Sequence, residues 1–223
     1  MTMRVLLFTR YPRPGAAKTR LGAVVGMDRA AALQTAFIRD ELRMLQSLGA
    51  RVTVCCEPST PTGEYRALFG PHHDYAAQRG SGLGERMLIA LRDVLDTGEP
   101  GAVLIGSDLP DLPAGHVEKA FAALEQAPLC LGPSPDGGFH LLGLAAPLTP
   151  DIFAGVPWGG PHVLARTLDN CRRLGLAPIL LGPWPDVDTA EDLADYARRN
   201  RDADSQTMAC IRRFNLVPHA WKS

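Results

Sequence analysis

Two stretches, VLLF within RVLLFT (4–9) and AVLIG at the start of AVLIGSD (102–108), are apolar at every position. Unbroken runs of this length suit strands buried on both faces, and such strands belong to parallel sheets covered by helices. RVTVCC (51–56) reads as a further strand. From Met27 to Leu48 the pattern changes, with Ala31, Phe37, Ile38, Leu42 and Leu45 at helical spacing and Gly49 as a natural helix end. Helices are predicted over 83–95 and 113–125. Strands follow at 128–133 and 138–144, separated by an acidic turn. Helices near 161–174 and 189–200 then flank a short strand at 177–181. This alternation predicts one three-layer α/β domain over 1–202, built on a mostly parallel central sheet. Residues 203–223, with Pro218 and Trp221, lose the periodicity and read as a C-terminal tail that packs on the surface or moves.

The balance of charge narrows the function classes. A formal net charge of −1 argues against a general nucleic-acid or membrane-surface binder, which would show a basic excess. The apolar run in Met1–Leu7 is too short for a signal peptide, and no stretch has the length of a membrane span. Cys55, Cys56, Cys130, Cys171 and Cys210 are odd in number and lack CxxC spacing, a usage that fits reduced thiols in a cytoplasmic protein better than disulfides or zinc.

In open α/β sheets, ligands sit beyond the carboxyl ends of the strands. That rule selects loops 10–22, 107–112 and 134–138. The first gathers Arg10, Arg13, Lys18 and Arg20 around Gly15 and Thr19. Cations beside flexible backbone N–H groups suit a diphosphate, although a solvated basic loop has the same composition. A Walker-type loop is not expected, because no glycine stands immediately before Lys18.

The second loop carries Ser107, Asp108 and Asp111. Short carboxylates at the rim suit Mg²⁺ or Mn²⁺, with ligand phosphates supplying further oxygens. Asp108 lies too early to cap the next helix and reads as a metal ligand. Asp111 reads equally as the N-cap of the helix starting near Pro113.

In the third loop, Asp136-Gly137-Gly138 is either a plain hairpin turn or a place where backbone approaches a ligand closely. His140 follows as a core histidine or a catalyst. In PDVDTAEDL (185–193), Thr189 or Asp188 could N-cap the last helix, and capping with the helix dipole accounts for Thr189, Glu191 and Asp192. Asp186 and Asp188 then leave a spare carboxylate to face the site. QRGSGLGERM (78–87), with Gly80 and Gly82, brings a glycine-rich turn to a helix N-terminus, where N–H groups can take an anion or a base edge. PWGGPH (157–162), with Trp158, is the kind of turn that lines a sugar pocket. Both are also ordinary structural turns.

Five segments in order, PxPGxxKTRL (12–21), QxGxxLGERM (78–87), GSDxPDL (106–112), GPxxDGGxxLxGL (132–144) and DVDTxEDL (186–193), resemble bacterial proteins of the DUF2064 type. These are described as nucleotide-diphospho-sugar transferases with the GT-A fold, and the resemblance spans roughly residues 4 to 200. It implies a Rossmann-like GT-A sheet that binds a nucleoside diphosphate compound through its first loop, with Mg²⁺ or Mn²⁺ held by Asp108. The last segment resembles one that supplies a second metal-side carboxylate in nucleotidyltransferases, which maps to Asp188. Where relatives carry DGGYY and PWST, this chain has Phe139-His140 and Trp158-Gly159-Gly160.

The expected function is metal-assisted transfer of a sugar from a nucleoside diphosphate sugar to a small-molecule or glycan acceptor. Lys18 and Arg20 would bind the diphosphate, with Arg10 or Arg13 at its edge and Gly15 and Thr19 in the same loop. Gly80, Gly82 and Ser107 would lie on the nucleotide side, and Gly137, Gly138 and Trp158 on the sugar or acceptor side. Asp136 is the first choice for general base and His140 the second. The alternatives are a nucleotidyltransferase that releases pyrophosphate and a nucleotide-binding module without catalysis.

Overall fold

The computed structural model describes residues 3–147 and 152–216. β1 (Arg4–Thr9) is buried along its whole length. Its side chains alternate between two cores: Val5 and Leu7 enter one, Leu6 and Phe8 the other. Two apolar faces on one strand are the physical reason for the unbroken run. β2 (Arg51–Cys56) and β4 (Ala102–Gly106) flank β1 in parallel. Beyond β2 lies β3 (Asp74–Ala77), also parallel. Beyond β4 come the hairpin strands β6 (Phe139–Leu144) and β5 (Leu129–Pro133), and then β7 (Ile179–Leu180). The order is β3-β2-β1-β4-β6-β5-β7, with β6 antiparallel to both neighbours and the remaining pairs parallel. The sheet is therefore mostly parallel, in the three-layer Rossmann-like arrangement of GT-A proteins.

Helices cover both faces. α2 (Met27–Ser47) and α5 (Ala114–Leu124) pack Ile38, Leu42, Leu45, Val117 and Ala120 against one side. α4 (Leu83–Leu95) and α6 (Val163–Arg173) pack Met87, Leu91, Val94, Val163 and Cys171 against the other. A third core joins α1 (Thr19–Val25), α2, α7 (Ala190–Arg199) and α8 (Gln206–Phe214) through Leu21, Phe37, Tyr196 and Met208. All five cysteines are free thiols. Among the described residues, no helix is long and apolar enough to cross a membrane.

Four elements depart from the sequence expectation. Within the segment read as a tail, Gln206–Phe214 forms α8, held to α2 where Asp40 accepts the amides of Gln206 and Thr207 at 2.8 Å each. That anchor comes from a distant helix, so local periodicity does not announce it. Pro218 and Trp221 lie outside the described residues. α1 is a seven-residue helix with Gly22 inside it. α3 (Thr62–Phe69) buries Tyr65 alone, and β3 is a four-residue edge strand with no buried position, so neither generates an apolar stripe.

Candidate active site

The sheet order reverses beside β1, between β2 and β4, so the crevice beyond the carboxyl ends of β1 and β4 is the topological switch point. The chain leaves β1 through the basic loop and enters α1 at Lys18, whose backbone is left-handed with φ 52°. A non-glycine residue there costs on the order of 1 kcal/mol or more, so its surroundings must hold it. They do so through the ammonium group. Lys18 Nζ donates to Asp188 Oδ1 at 2.6 Å, to Asp108 Oδ1 at 2.7 Å and to the Val187 carbonyl at 2.7 Å. An ammonium has three N–H donors, so all are engaged. The lysine side chain is 3% exposed, whereas the two carboxylates are 39% and 41% exposed. Burial alone would lower the lysine pKa, but Asp108 and Asp188 outweigh it and hold the group above its ordinary value.

The peptide around Asp108 is fixed on three sides. Gln34 Nε2 donates to both the carbonyl and the hydroxyl of Ser107 at 3.0 Å. The Leu109 amide donates to Glu41 Oε1 at 2.7 Å, and the Val187 amide donates to the Asp108 carbonyl at 2.9 Å. Gln34 and Glu41 are buried on α2, and each keeps one oxygen without a hydrogen-bond partner. Burial pushes the Glu41 carboxyl well above its ordinary pKa against the pull of the Leu109 amide.

Asp188 is placed by the start of α7. Thr189 caps that helix, and Asp192 returns the contact by accepting the Thr189 amide, as in a capping box. Because Thr189 does the capping, Asp188 is free to turn toward Lys18. Asp111 is not an N-cap: Pro113 holds that position, and Asp111 accepts from Trp184 Nε1, Arg199 and Asn200, tying the 107–112 loop to α7. Asp186, read from the sequence with Asp188 as a source of a spare carboxylate, belongs to the same carboxylate group. Burial first, then Asp188, Asp136 and Asp108, push its pKa up to about 6.

The remaining expected residues fall around this centre with different degrees of engagement. Arg10 and Gly15 are exposed on the loop and Thr19 and Arg20 on the first turn of α1, and among the described residues neither arginine makes an ion pair. Arg13 is drawn sideways to Glu64 at 3.4 Å. Ser107 is buried and committed to Gln34. Asp136 is exposed and accepts the Gly138 amide at 2.9 Å, so 134–138 is a hairpin turn. Gly137, at φ 89°, lies so close to the Pro161 carbonyl that a Cβ would come within 2.0 Å of it.

His140 is turned into the protein. It is 6% exposed, its Nδ1 lies 2.9 Å from the Pro133 carbonyl, and its ring faces His116 at 5.8 Å. Burial pulls its pKa down to about 4. The ring is enclosed, with Nδ1 at the Pro133 carbonyl and Nε2 buried without a partner, so the side chain is set back from the exposed turn that carries Asp136. Gly80 and Gly82 lie in an exposed turn closed by Glu85, which accepts the Ser81 amide at 2.7 Å and its hydroxyl at 2.6 Å. The two weaker sequence motifs meet: a Cβ on Gly84 would lie 2.8 Å from the Trp158 ring, and Trp158 packs against Phe139 and Phe153.

Asp108 and Asp188 already grip one cation with oxygen donors and keep outward-facing area, which fits a hard divalent ion. Among the described residues no three His, Cys, Asp or Glu side chains converge as a metal site. Water or phosphate oxygens would suit the remaining positions of such an ion.

The doubly wound, mostly parallel sheet is of the GT-A-like and nucleotidyltransferase-like fold. Within it, the chain belongs to the DUF2064 family: the family model, described as "uncharacterized protein conserved in bacteria (DUF2064)", matches residues 24–160. No curated protein matches. A crystal structure described as a "putative nucleotide-diphospho-sugar transferase" from Desulfovibrio desulfuricans G20 is 39% identical, with a TM-score of 0.90 over 96% of each chain. CMP:2-keto-3-deoxy-manno-octonic acid synthetase complexed with CTP is 13% identical, with a TM-score of 0.56 over 91% of this chain and 100% of that one. Rv0371c from Mycobacterium tuberculosis H37Rv, in complex with manganese, is 15% identical, with a TM-score of 0.50 over 91% of this chain and 100% of that one. The last two establish likeness of fold.

Proposed function

We propose that the protein is a metal-assisted transferase that moves a sugar from a nucleoside diphosphate sugar to a small-molecule or glycan acceptor. The observation that carries this reading is the meeting of Asp108 and Asp188 at one cation beyond the central strands. Asp108 and Asp188 would hold Mg²⁺ or Mn²⁺. When bound, that ion offsets the negative charge that builds on the leaving diphosphate. Arg10 and Arg20, exposed on the segment that carries Lys18, would add positive charge for the phosphates. Asp136 is placed on the exposed hairpin turn and suits a base that takes the acceptor proton. Asp186, with its pKa near 6, can hold or release a proton inside the carboxylate group at neutral pH. Trp158 offers an aromatic face on the sugar or acceptor side.

The manganese in Rv0371c and the likeness to the Desulfovibrio protein support this assignment. The experiment is incubation with a panel of nucleotide sugars and Mn²⁺, reading release of nucleoside diphosphate. Metal-dependent release that falls on the order of 10²-fold in Asp108→Asn is the expected result. No release and no nucleotide binding across the panel would overturn it.

A second reading is nucleotidyl transfer from a nucleoside triphosphate to a phosphorylated acceptor. The pairing of Asp188 with Asp108 favours it, because two metal-side carboxylates suit attack on a phosphorus atom. Its signature is pyrophosphate release from a triphosphate in the presence of sugar phosphates.

A further inference from the structure

Lys18 occupies an unusual place for a residue expected to reach a phosphate. Its ammonium points back into the protein and spends all three donors on Asp108, Asp188 and the Val187 carbonyl. We propose that Lys18 is the internal counter-ion of the carboxylate pair, and that a divalent metal must compete with it for Asp108 and Asp188. This rests on the reading that the site takes a metal together with nucleoside phosphates.

Three observations carry the competition. First, the ammonium bridges one oxygen of each carboxylate at 2.7 and 2.6 Å, so a metal drawing on that oxygen pair would meet it head-on. Second, a cation-to-cation approach at this range is strongly repulsive, so a metal arriving alone gains the carboxylates only if Lys18 withdraws. Third, the withdrawal is penalised. A side chain that is 3% exposed, on a backbone fixed at φ 52°, would leave its acceptors and stand buried without partners. Phosphate oxygens remove that penalty, because they offer the displaced ammonium new acceptors. Metal and phosphate therefore bind as a coupled pair, and Lys18 sets the strength of the coupling.

The sign of the resulting prediction separates it from simpler roles. If Lys18 were only a phosphate anchor, its removal would leave binding of metal alone unchanged. If it only oriented the carboxylates, removal would weaken that binding. Competition requires that removal strengthen it.

The test is titration with Mn²⁺ alone, followed by the electron paramagnetic resonance signal of free Mn²⁺. Wild type, Lys18→Met and Lys18→Gln are compared, with circular dichroism confirming the fold of each. Loss of the competing charge is expected to tighten binding of Mn²⁺ alone by about tenfold or more in either folded variant. The gain is expected to vanish in Lys18→Met/Asp108→Asn, which locates the ion. Equal or weaker binding in both variants overturns the proposal. If wild type binds Mn²⁺ with inorganic pyrophosphate while the variants show no gain with Mn²⁺ alone, only the competition falls. If no form binds Mn²⁺ with or without pyrophosphate, the metal-assisted reading falls with it.

Discussion

Glu41 and Leu109, 68 positions apart, share one hydrogen bond of 2.7 Å that ties the middle of α2 to the strand end carrying Asp108. Glu41→Ala leaves a buried amide without an acceptor, at a cost of about 1–3 kcal/mol. Glu41→Gln keeps a carbonyl oxygen in place and is expected to cost less. Urea denaturation of the two variants at unchanged m-value checks the order. Equal losses would mean that the bond is not what holds the loop.

Asp186 links stability to pH. Its pKa rises from an ordinary 3.8 to about 6 on folding, mainly through burial. The folded state therefore keeps a proton that the unfolded chain releases earlier. This contribution is fully present below pH 3.8 and is lost as pH rises through about 6. Asp186→Asn is expected to be the more stable protein at pH 7–8, by roughly 1 kcal/mol after allowance for partial exposure. The gap should close below about pH 4. Thermal melts of both proteins across that range give the comparison, and a gap that widens on acidification would contradict the assignment.

Asp108→Asn and Asp111→Asn are expected to separate chemistry from scaffold. The first removes a charge facing the proposed metal, and metal-dependent turnover should fall on the order of 10²-fold in a folded protein. The second weakens the grip on Trp184, Arg199 and Asn200, and its main effect should be a loss of about 1–3 kcal/mol in stability. Product release and chemical denaturation, measured on both variants, distinguish the two patterns.

Gly137→Ala combines a positive φ of 89° with a Cβ placed 2.0 Å from the Pro161 carbonyl. The expected loss is about 3 kcal/mol or more, from backbone strain and overpacking together. Scanning calorimetry measures it. A neutral result would show that the 157–162 turn yields freely.

The sheet was legible because its central strands have two apolar faces, and most helices because they present one. What escaped were elements whose reason to exist lies elsewhere in the chain. α8 depends on Asp40, and α3 on a single tyrosine. At the site, Asp108 stood out because it lies too early to cap a helix, and Asp188 through the resemblance of its segment to nucleotidyltransferases. The direction of Lys18 was not readable, since a left-handed lysine and its acceptors 90 and 170 positions away are properties of the folded chain. Glu41 and Gln34 were hidden for a similar reason: on a sequence they are polar residues of a helix, and only the fold buries them against the 107–109 peptide. The inward direction of His140 was equally unreadable, because it is set by the β5–β6 hairpin.

Asp40 and Glu41 are consecutive on α2, yet they serve different parts of the molecule. Asp40 receives the first amides of the C-terminal helix, and Glu41 receives the amide just after Asp108. The last described helix and the proposed metal-side loop are thus riveted to adjoining peptide units. The two attachments lie within a single turn of one helix, and neither runs through the sheet.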